Sequence, residues 1–314
     1  MPEPGPRDVL VQVSAVGVCG SDIHYYQHGR IGSHVVRAPL VLGHESAGHV
    51  VEIGSEVTHH AVGDRVTLEP GVPCGRCREC RTGRYNLCPD VVFFATPPVD
   101  GAFADYVTIH EDFAFALPDA LSDEDGALME PLSVGIWACR KAGVQAGDRV
   151  LVTGAGPIGL LAMQVALAFG ATQVEISDVS EPRLELARRT GATRALRAGE
   201  DEPAEADALI ECSGNERALR AGIEALRPAG TAVVVGMGPG ATAELPLSLI
   251  QTRELWLTGT FRYANTYPTA IALAESGRVD LGAIVTGHYP LEETERALRA
   301  GIEDPANIKA VVHP

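Results

Sequence analysis

Val150-Leu151-Val152-Thr153-Gly154-Ala155-Gly156-Pro157-Ile158-Gly159-Leu160-Leu161 places an apolar run, a G-x-G-x-x-G turn and the start of an apolar helix in succession. The apolar helix continues to Phe169, a second strand-like run Gln173-Val174-Glu175-Ile176-Ser177 follows, and Asp178 lies nineteen residues after Gly159. Three glycines alone say little, but between a strand and a helix, with an acid at that distance, they form a dinucleotide-binding fingerprint. Gly154, Gly156 and Gly159, with Pro157 and Ile158 between them, let the backbone approach a pyrophosphate, and the helix start offers unpaired N–H groups and a positive dipole end. The Asp178 carboxylate would accept the adenosine ribose hydroxyls and repel a 2′-phosphate, so NAD is expected rather than NADP. Arg183 could stack on the adenine or offer a partial phosphate site. The plainer use of Asp178 is a turn or cap ahead of Ser180-Glu181-Pro182, where Pro suits the first helical position.

Outward from this centre the alternation continues through Ala208-Leu209-Ile210, a helix from Glu216 to Leu226, Thr231-Ala232-Val233-Val234-Val235-Gly236 and Leu255-Trp256-Leu257-Thr258-Gly259. Strands alternating with helices predict a doubly wound parallel sheet over 133–262. The preceding 1–132 reads differently: short Val-rich runs (Val9, Val11, Val13; Ala47 to Ile53; Asp64 to Leu68) separated by Gly and Pro predict a compact β-rich domain. Two domains suit 314 residues. A net charge of -16 argues against nucleic acid and anionic lipid as partners. The uncharged stretch between Arg149 and Glu175 is long enough for a membrane span, but its glycines and Pro157 favour a buried strand, loop and helix. The start, Met1-Pro2-Glu3-Pro4-Gly5-Pro6, carries no secretion signal, so the cytoplasm is the expected compartment.

Four of the seven cysteines, Cys74, Cys77, Cys80 and Cys88, form C-x2-C-x2-C-x7-C in a stretch with little apolar content. Four thiolates on a short polar loop satisfy tetrahedral zinc, and a closed site of this kind contributes folding energy directly. The alternative is a pair of disulfides or free thiols. Cys139 and Cys212 stand in apolar contexts and read as small buried hydrophobes. Cys19 follows the first strand-like run, and Leu42-Gly43-His44-Glu45 and Glu130 add an imidazole and two carboxylates. These are catalytic-zinc ligand types. Spacing alone does not assemble them, and His59, His60, His110 and His313 read as solvated or structurally satisfied.

Taken in order, Cys19-Gly20-Ser21-Asp22, Gly43-His44-Glu45, the four-cysteine lobe, Glu130-Pro131-Leu132-Ser133 and the glycine turn resemble the zinc-dependent medium-chain alcohol dehydrogenases. The resemblance covers nearly the whole chain. Within that family His24-Tyr25-Tyr26, Gly83-Arg84-Tyr85-Asn86-Leu87-Cys88 and Phe261-Arg262-Tyr263-Ala264-Asn265-Thr266 resemble the polyol (sorbitol-type) branch. The resemblance implies an α/β fold: a β-rich GroES-like catalytic domain, a Rossmann domain over 133–262, and a return of 263–314 to the catalytic domain, with Ile308 to Val312 as a strand. It implies a catalytic zinc at Cys19, His44 and one of Glu45 and Glu130, the other acting through its water. It also implies a structural zinc in the cysteine lobe, Asp22 orienting His44, and a proton relay through Ser21 and His24. Tyr25, Glu130, Arg262 and Tyr263 match polyol-binding positions, and Val235 and Gly236 join the cofactor set. The implied reaction is oxidation of a polyol at C2 to the ketose with hydride transfer to NAD, in a homotetramer.

Two departures accompany the resemblance. Relatives begin a few tens of residues earlier, so an edge of the catalytic domain is expected to be missing, and the acidic region from Thr193 to Asp207 is shorter than usual. Three competing readings stand beside it. One is another zinc alcohol dehydrogenase, for threonine or 2,3-butanediol, against which Arg262-Tyr263 beside Tyr25 argues. The second is a truncated zinc and NAD binder without turnover. The third, zinc-finger binding of nucleic acid, is disfavoured by the charge.

Overall fold

The valine-rich amino-terminal run becomes Asp8–Gly17, a central strand of a seven-stranded sheet in a computed structural model that describes residues 1–238, 240, 242–304 and 306–314. It pairs antiparallel with three strands: Glu45–Ile53, with Gly17 opposite Glu45; Tyr106–His110, with Val11 opposite Val107; and Lys309–His313, with Val16 opposite Val312. Val285–Pro290 joins the far edge parallel to Lys309–His313, and Arg65–Leu68 and Ala114–Ala116 extend the other side. Val9, Val11, Val13, Val16, Val50 and Val66 pack with Ala310 and Val312 into one core. Each such side chain contributes about 1.5–3 kcal/mol by leaving water. The register places Cys19 just beyond one strand end and Glu45 at the start of its neighbour, so backbone pairing brings distant sequence together.

The second sheet is wholly parallel. Its order is Arg194–Arg197, Gln173–Asp178, Arg149–Thr153, Ala206–Glu211, Leu226–Val234, Trp256–Gly259, the 3-2-1-4-5-6 arrangement of dinucleotide-binding sheets. Its inner strands are buried nearly throughout, as strands covered on both faces must be. The glycine turn leads into the helix Pro157–Ala168, and no helix among the described residues is long and apolar enough to cross a membrane.

Contacts divide the chain into two compact units, Met1–Glu130 with Tyr267–Glu275 and Val285–Pro314, and Pro131–Thr266 with Ser276–Ile284. Tyr267 returns to the first unit by donating its hydroxyl to the Leu68 carbonyl at 2.7 Å and stacking on Phe115. Ser276–Ile284 differs from the sequence expectation, which kept 263–314 together: the Gln164 amide bonds both backbone groups of Asp280 and holds this segment in the second unit.

Candidate active site and metal centres

Cys19 is the N-cap of the helix Gly20–His28, and Asp22 on its first turn is fully buried. One Asp22 oxygen accepts from the Cys19 backbone N–H at 3.0 Å, and the other accepts from Gly43 N–H at 2.9 Å and faces His44 Nδ1 at 3.6 Å. A single carboxylate thus fixes the backbone on either side of the site and the ring of His44. Burial works against charge on both groups, yet their mutual attraction prevails: Asp22 lies below the usual carboxylate range and His44 well above the usual imidazole range. Cys19 Sγ, a His44 ring nitrogen and a Glu45 oxygen lie within 4.8 Å of one another. A soft thiolate, an imidazole and a carboxylate, with the imidazole braced from behind, fit zinc with a position left open.

Glu45 has a partner that the sequence did not reveal. The fully buried Lys309 ammonium donates to both its oxygens, at 2.8 and 2.7 Å, and to the Val18 carbonyl at 2.9 Å. Burial disfavours the Lys309 charge, but Glu45 raises its pKa above the ordinary value. A side chain at Gly17 would collide with Glu45 Oε2, so glycine is required there. Glu130 is buried near the start of the helix Met129–Ala142; it stands outside the Cys19–His44–Glu45 group, though its charge is felt at Lys309. Burial, reinforced by Glu130, pushes Glu69 up to about 7 against the hydrogen bond it accepts from Tyr85. On the Gly20–His28 helix Tyr25 is buried, Ser21 half-buried and His24 exposed, with the His24 ring 5.8 Å from that of His28.

In the cysteine lobe all four sulfurs lie within 4.8 Å, with Cys77 Sγ 3.4 Å from Cys80 Sγ and the Cys74 N–H donating to Cys88 Sγ. Backbone N–H groups of Arg76 and Cys77 hold the Cys74 thiol down to about 7, while desolvation and then the Cys77 sulfur push Cys80 up to about 12. Four sulfurs converging within 4.8 Å on a loop with little apolar content fit a tetrathiolate zinc. Cys139 is fully buried and Cys212 half-buried; desolvation raises both thiols, which suits packing rather than reaction.

In the second unit, Gly154 has φ +88°, and a Cβ on Gly159 would meet the Gly154 carbonyl oxygen, so the tight turn needs both glycines. A Cβ on Gly156 would meet open space: the backbone there is approachable, at the start of a helix whose N-cap supplies no side-chain acceptor. This cradle fits a pyrophosphate. Asp178 caps Ser180 N–H at 2.8 Å and also accepts from Ala155 N–H at 2.7 Å, tying the glycine turn to the end of the second strand. Each oxygen keeps lone-pair capacity for a ribose hydroxyl. Glu211, unremarked in the sequence, organises the facing strand end: one oxygen accepts from Thr153, the Ser213 N–H and Gly214 N–H, and its carbonyl accepts from Val235 and Gly236 N–H. Arg183 is half-buried on the helix Glu181–Arg189. Arg262 adopts φ +53° and covers the Phe261 ring at 4.9 Å, and Tyr263 is buried beside it.

These metal and cofactor cradles define a zinc- and NAD(P)-dependent dehydrogenase. The chain belongs to the zinc-dependent medium-chain dehydrogenase family: residues 5–119 match the alcohol dehydrogenase GroES-like domain and 157–276 the zinc-binding dehydrogenase domain. It is 47% identical to the sorbitol dehydrogenase of Bos taurus over 95% of this chain and 86% of that protein. It is 43% identical to the sorbitol dehydrogenase of Bacillus subtilis, over 100% and 92%. The 2R,3R-butanediol dehydrogenase structure from Bacillus subtilis matches with a TM-score of 0.91 at 32% identity, covering 100% of this chain and 94% of that one.

Proposed function

We propose that the protein oxidises a polyol of the sorbitol, xylitol or L-iditol class at C2 to the ketose, with hydride transfer to NAD. The observation that carries this reading is the convergence of Cys19, His44 and Glu45 within 4.8 Å, braced by Asp22, in a chain 43–47% identical to sorbitol dehydrogenases. Cys19, His44 and Glu45 would hold the catalytic zinc, Cys74, Cys77, Cys80 and Cys88 the structural one, and the Gly154–Gly159 turn with Asp178 and Arg183 the dinucleotide. When bound, zinc polarises the carbinol oxygen as a Lewis acid and NAD accepts the hydride.

The chain's own residues supply orientation and proton movement. Asp22 keeps one His44 nitrogen aimed at the metal position. The buried Glu130 would take the substrate proton through a water, and the half-buried Ser21 and exposed His24 would lead it along one helix face toward solvent. Tyr25 and Glu130, both buried in the first unit, give a chain of hydroxyls a donor and an acceptor, and a substrate lacking those hydroxyls leaves them unpaired. A cytoplasmic homotetramer is the matching arrangement, supported by family membership and checked by sedimentation.

The test is NAD reduction over sorbitol, xylitol, threonine and 2,3-butanediol. Turnover of the polyols with little on the others supports the proposal; preference for threonine or butanediol overturns its substrate class. No turnover of any alcohol by zinc-loaded protein favours the non-catalytic reading.

A further inference from the structure

On the first unit, remote in sequence from the ligands described above, the helix Asp123–Ala127 and the strands Val285–Pro290 and Lys309–His313 each contribute one metal-ligating side chain to a single cluster. Glu124 Oε1 lies 2.9 Å from His288 Nδ1 and 3.1 Å from His313 Nε2, and the two imidazoles stack at 5.9 Å between centroids. The other nitrogen of His313, Nδ1, is 3.1 Å from the Ser14 carbonyl oxygen. A carbonyl only accepts, so Nδ1 carries the hydrogen and a neutral His313 turns the Nε2 lone pair toward the carboxylate. Two acceptors at that distance repel unless a cation lies between them. His288 can satisfy the same oxygen as a neutral donor, but it cannot remedy the His313 contact.

We infer that Glu124, His288 and His313 form a third metal site, for a divalent transition-metal ion of the Zn2+, Ni2+ or Cu2+ type. Imidazole nitrogens with one carboxylate suit these ions. At metal–ligand distances of about 2.0–2.2 Å, tetrahedral ligands stand roughly 3.3–3.6 Å apart, so the two Glu124–histidine contacts need to open by only a few tenths of an ångström, and the ligand nitrogens of His288 and His313 already lie within 4.8 Å of each other. The side chains keep 30% (Glu124), 59% (His288) and 38% (His313) of their surface exposed, which leaves room for solvent to complete the coordination. Glu124 is available because its neighbour Asp123 takes the local cation: Arg65 donates to Asp123 at 2.6 Å, while Ser122 and Asp125 cap the helix. A bound ion would tie the last strand and its parallel partner to the helix that ends three residues before Glu130.

The alternative occupant is a proton, which makes the cluster an ordinary ion pair. Equilibrium dialysis of the holoenzyme against Zn2+, read by elemental analysis, separates the two. The expected result is one more Zn2+ per subunit in the wild type than in His288→Ala or Glu124→Gln. Wild-type protein titrated with Cu2+ should also show imidazole-nitrogen hyperfine structure that His288→Ala loses. Equal metal content in all three proteins, with Cu2+ spectra unaltered by the substitutions, overturns the site and leaves the proton-sharing pair.

Discussion

Lys309 and Glu45 stand 264 positions apart, and only the pairing of both their strands with the first strand brings their charges together. Without metal, a buried ammonium that meets both oxygens of a carboxylate leaves an uncompensated charge if it is removed, at a cost of about 3–5 kcal/mol. Lys309→Met is expected to lose about that much in urea denaturation of the zinc-free protein; a loss below about 1 kcal/mol would contradict the pair. Asp178 caps Ser180, the plainer of its two sequence readings, and also accepts from Ala155 N–H beside the glycine turn, where the proposed ribose contact would fall. Asp178→Ala should lower the ratio of kcat/KM for NAD over NADP by about tenfold, or ~1.4 kcal/mol; an unchanged ratio refutes its role in cofactor choice. Glycines and acids with local roles were legible because a turn is written in contiguous residues. Lys309 and Glu211 were not, since their roles depend on partners that only the folded sheets supply.

At the scale of elements, the cysteine lobe has little apolar surface of its own, so the metal must do the work of a core there. Cys77→Ser is expected to lower the melting temperature and leave kcat nearly intact at temperatures where the variant stays folded. Unaltered melting with reduced zinc content would refute the structural assignment. The amino-terminal strand has a separate clamp. Glu111 accepts from Thr58 N–H at 2.8 Å, from His59 N–H and from both Nε and Nη2 of Arg7. Led by the Thr58 bond, these contacts bring its pKa down from 4.5 to about 2. Its stabilisation is therefore complete above about pH 4.5 and disappears as the pH falls toward 2. Glu111→Gln should flatten the stability–pH curve in that window, and an unaltered slope would count against the clamp. The sequence pattern located the strands and helices because apolar periodicity is local. It left His313 as a solvated or satisfied residue and did not single out His288 or Glu124, whose meeting depends on the register of two carboxyl-terminal strands and a capped helix.

At the scale of the whole molecule, each unit carries its own core: the valine cluster of the mixed sheet in one, and Leu151, Leu209, Ile223 and Leu226 over the parallel sheet in the other. A net charge of -16 keeps polyanions away while leaving neutral polyols free to approach. Family membership and fold followed from motif order because Cys19, His44, the cysteine lobe and the glycine turn each need a fixed residue type at a fixed place. Which acid lies beside Cys19 and His44 did not follow; in the folded chain it is Glu45, within 4.8 Å of both. The proposed chemistry requires above all a zinc ion held at Cys19, His44 and Glu45. Elemental analysis of purified Cys19→Ala beside the wild type addresses that directly. The predicted result is one zinc fewer per subunit with the four-cysteine zinc retained; equal zinc in the two proteins would contradict the account.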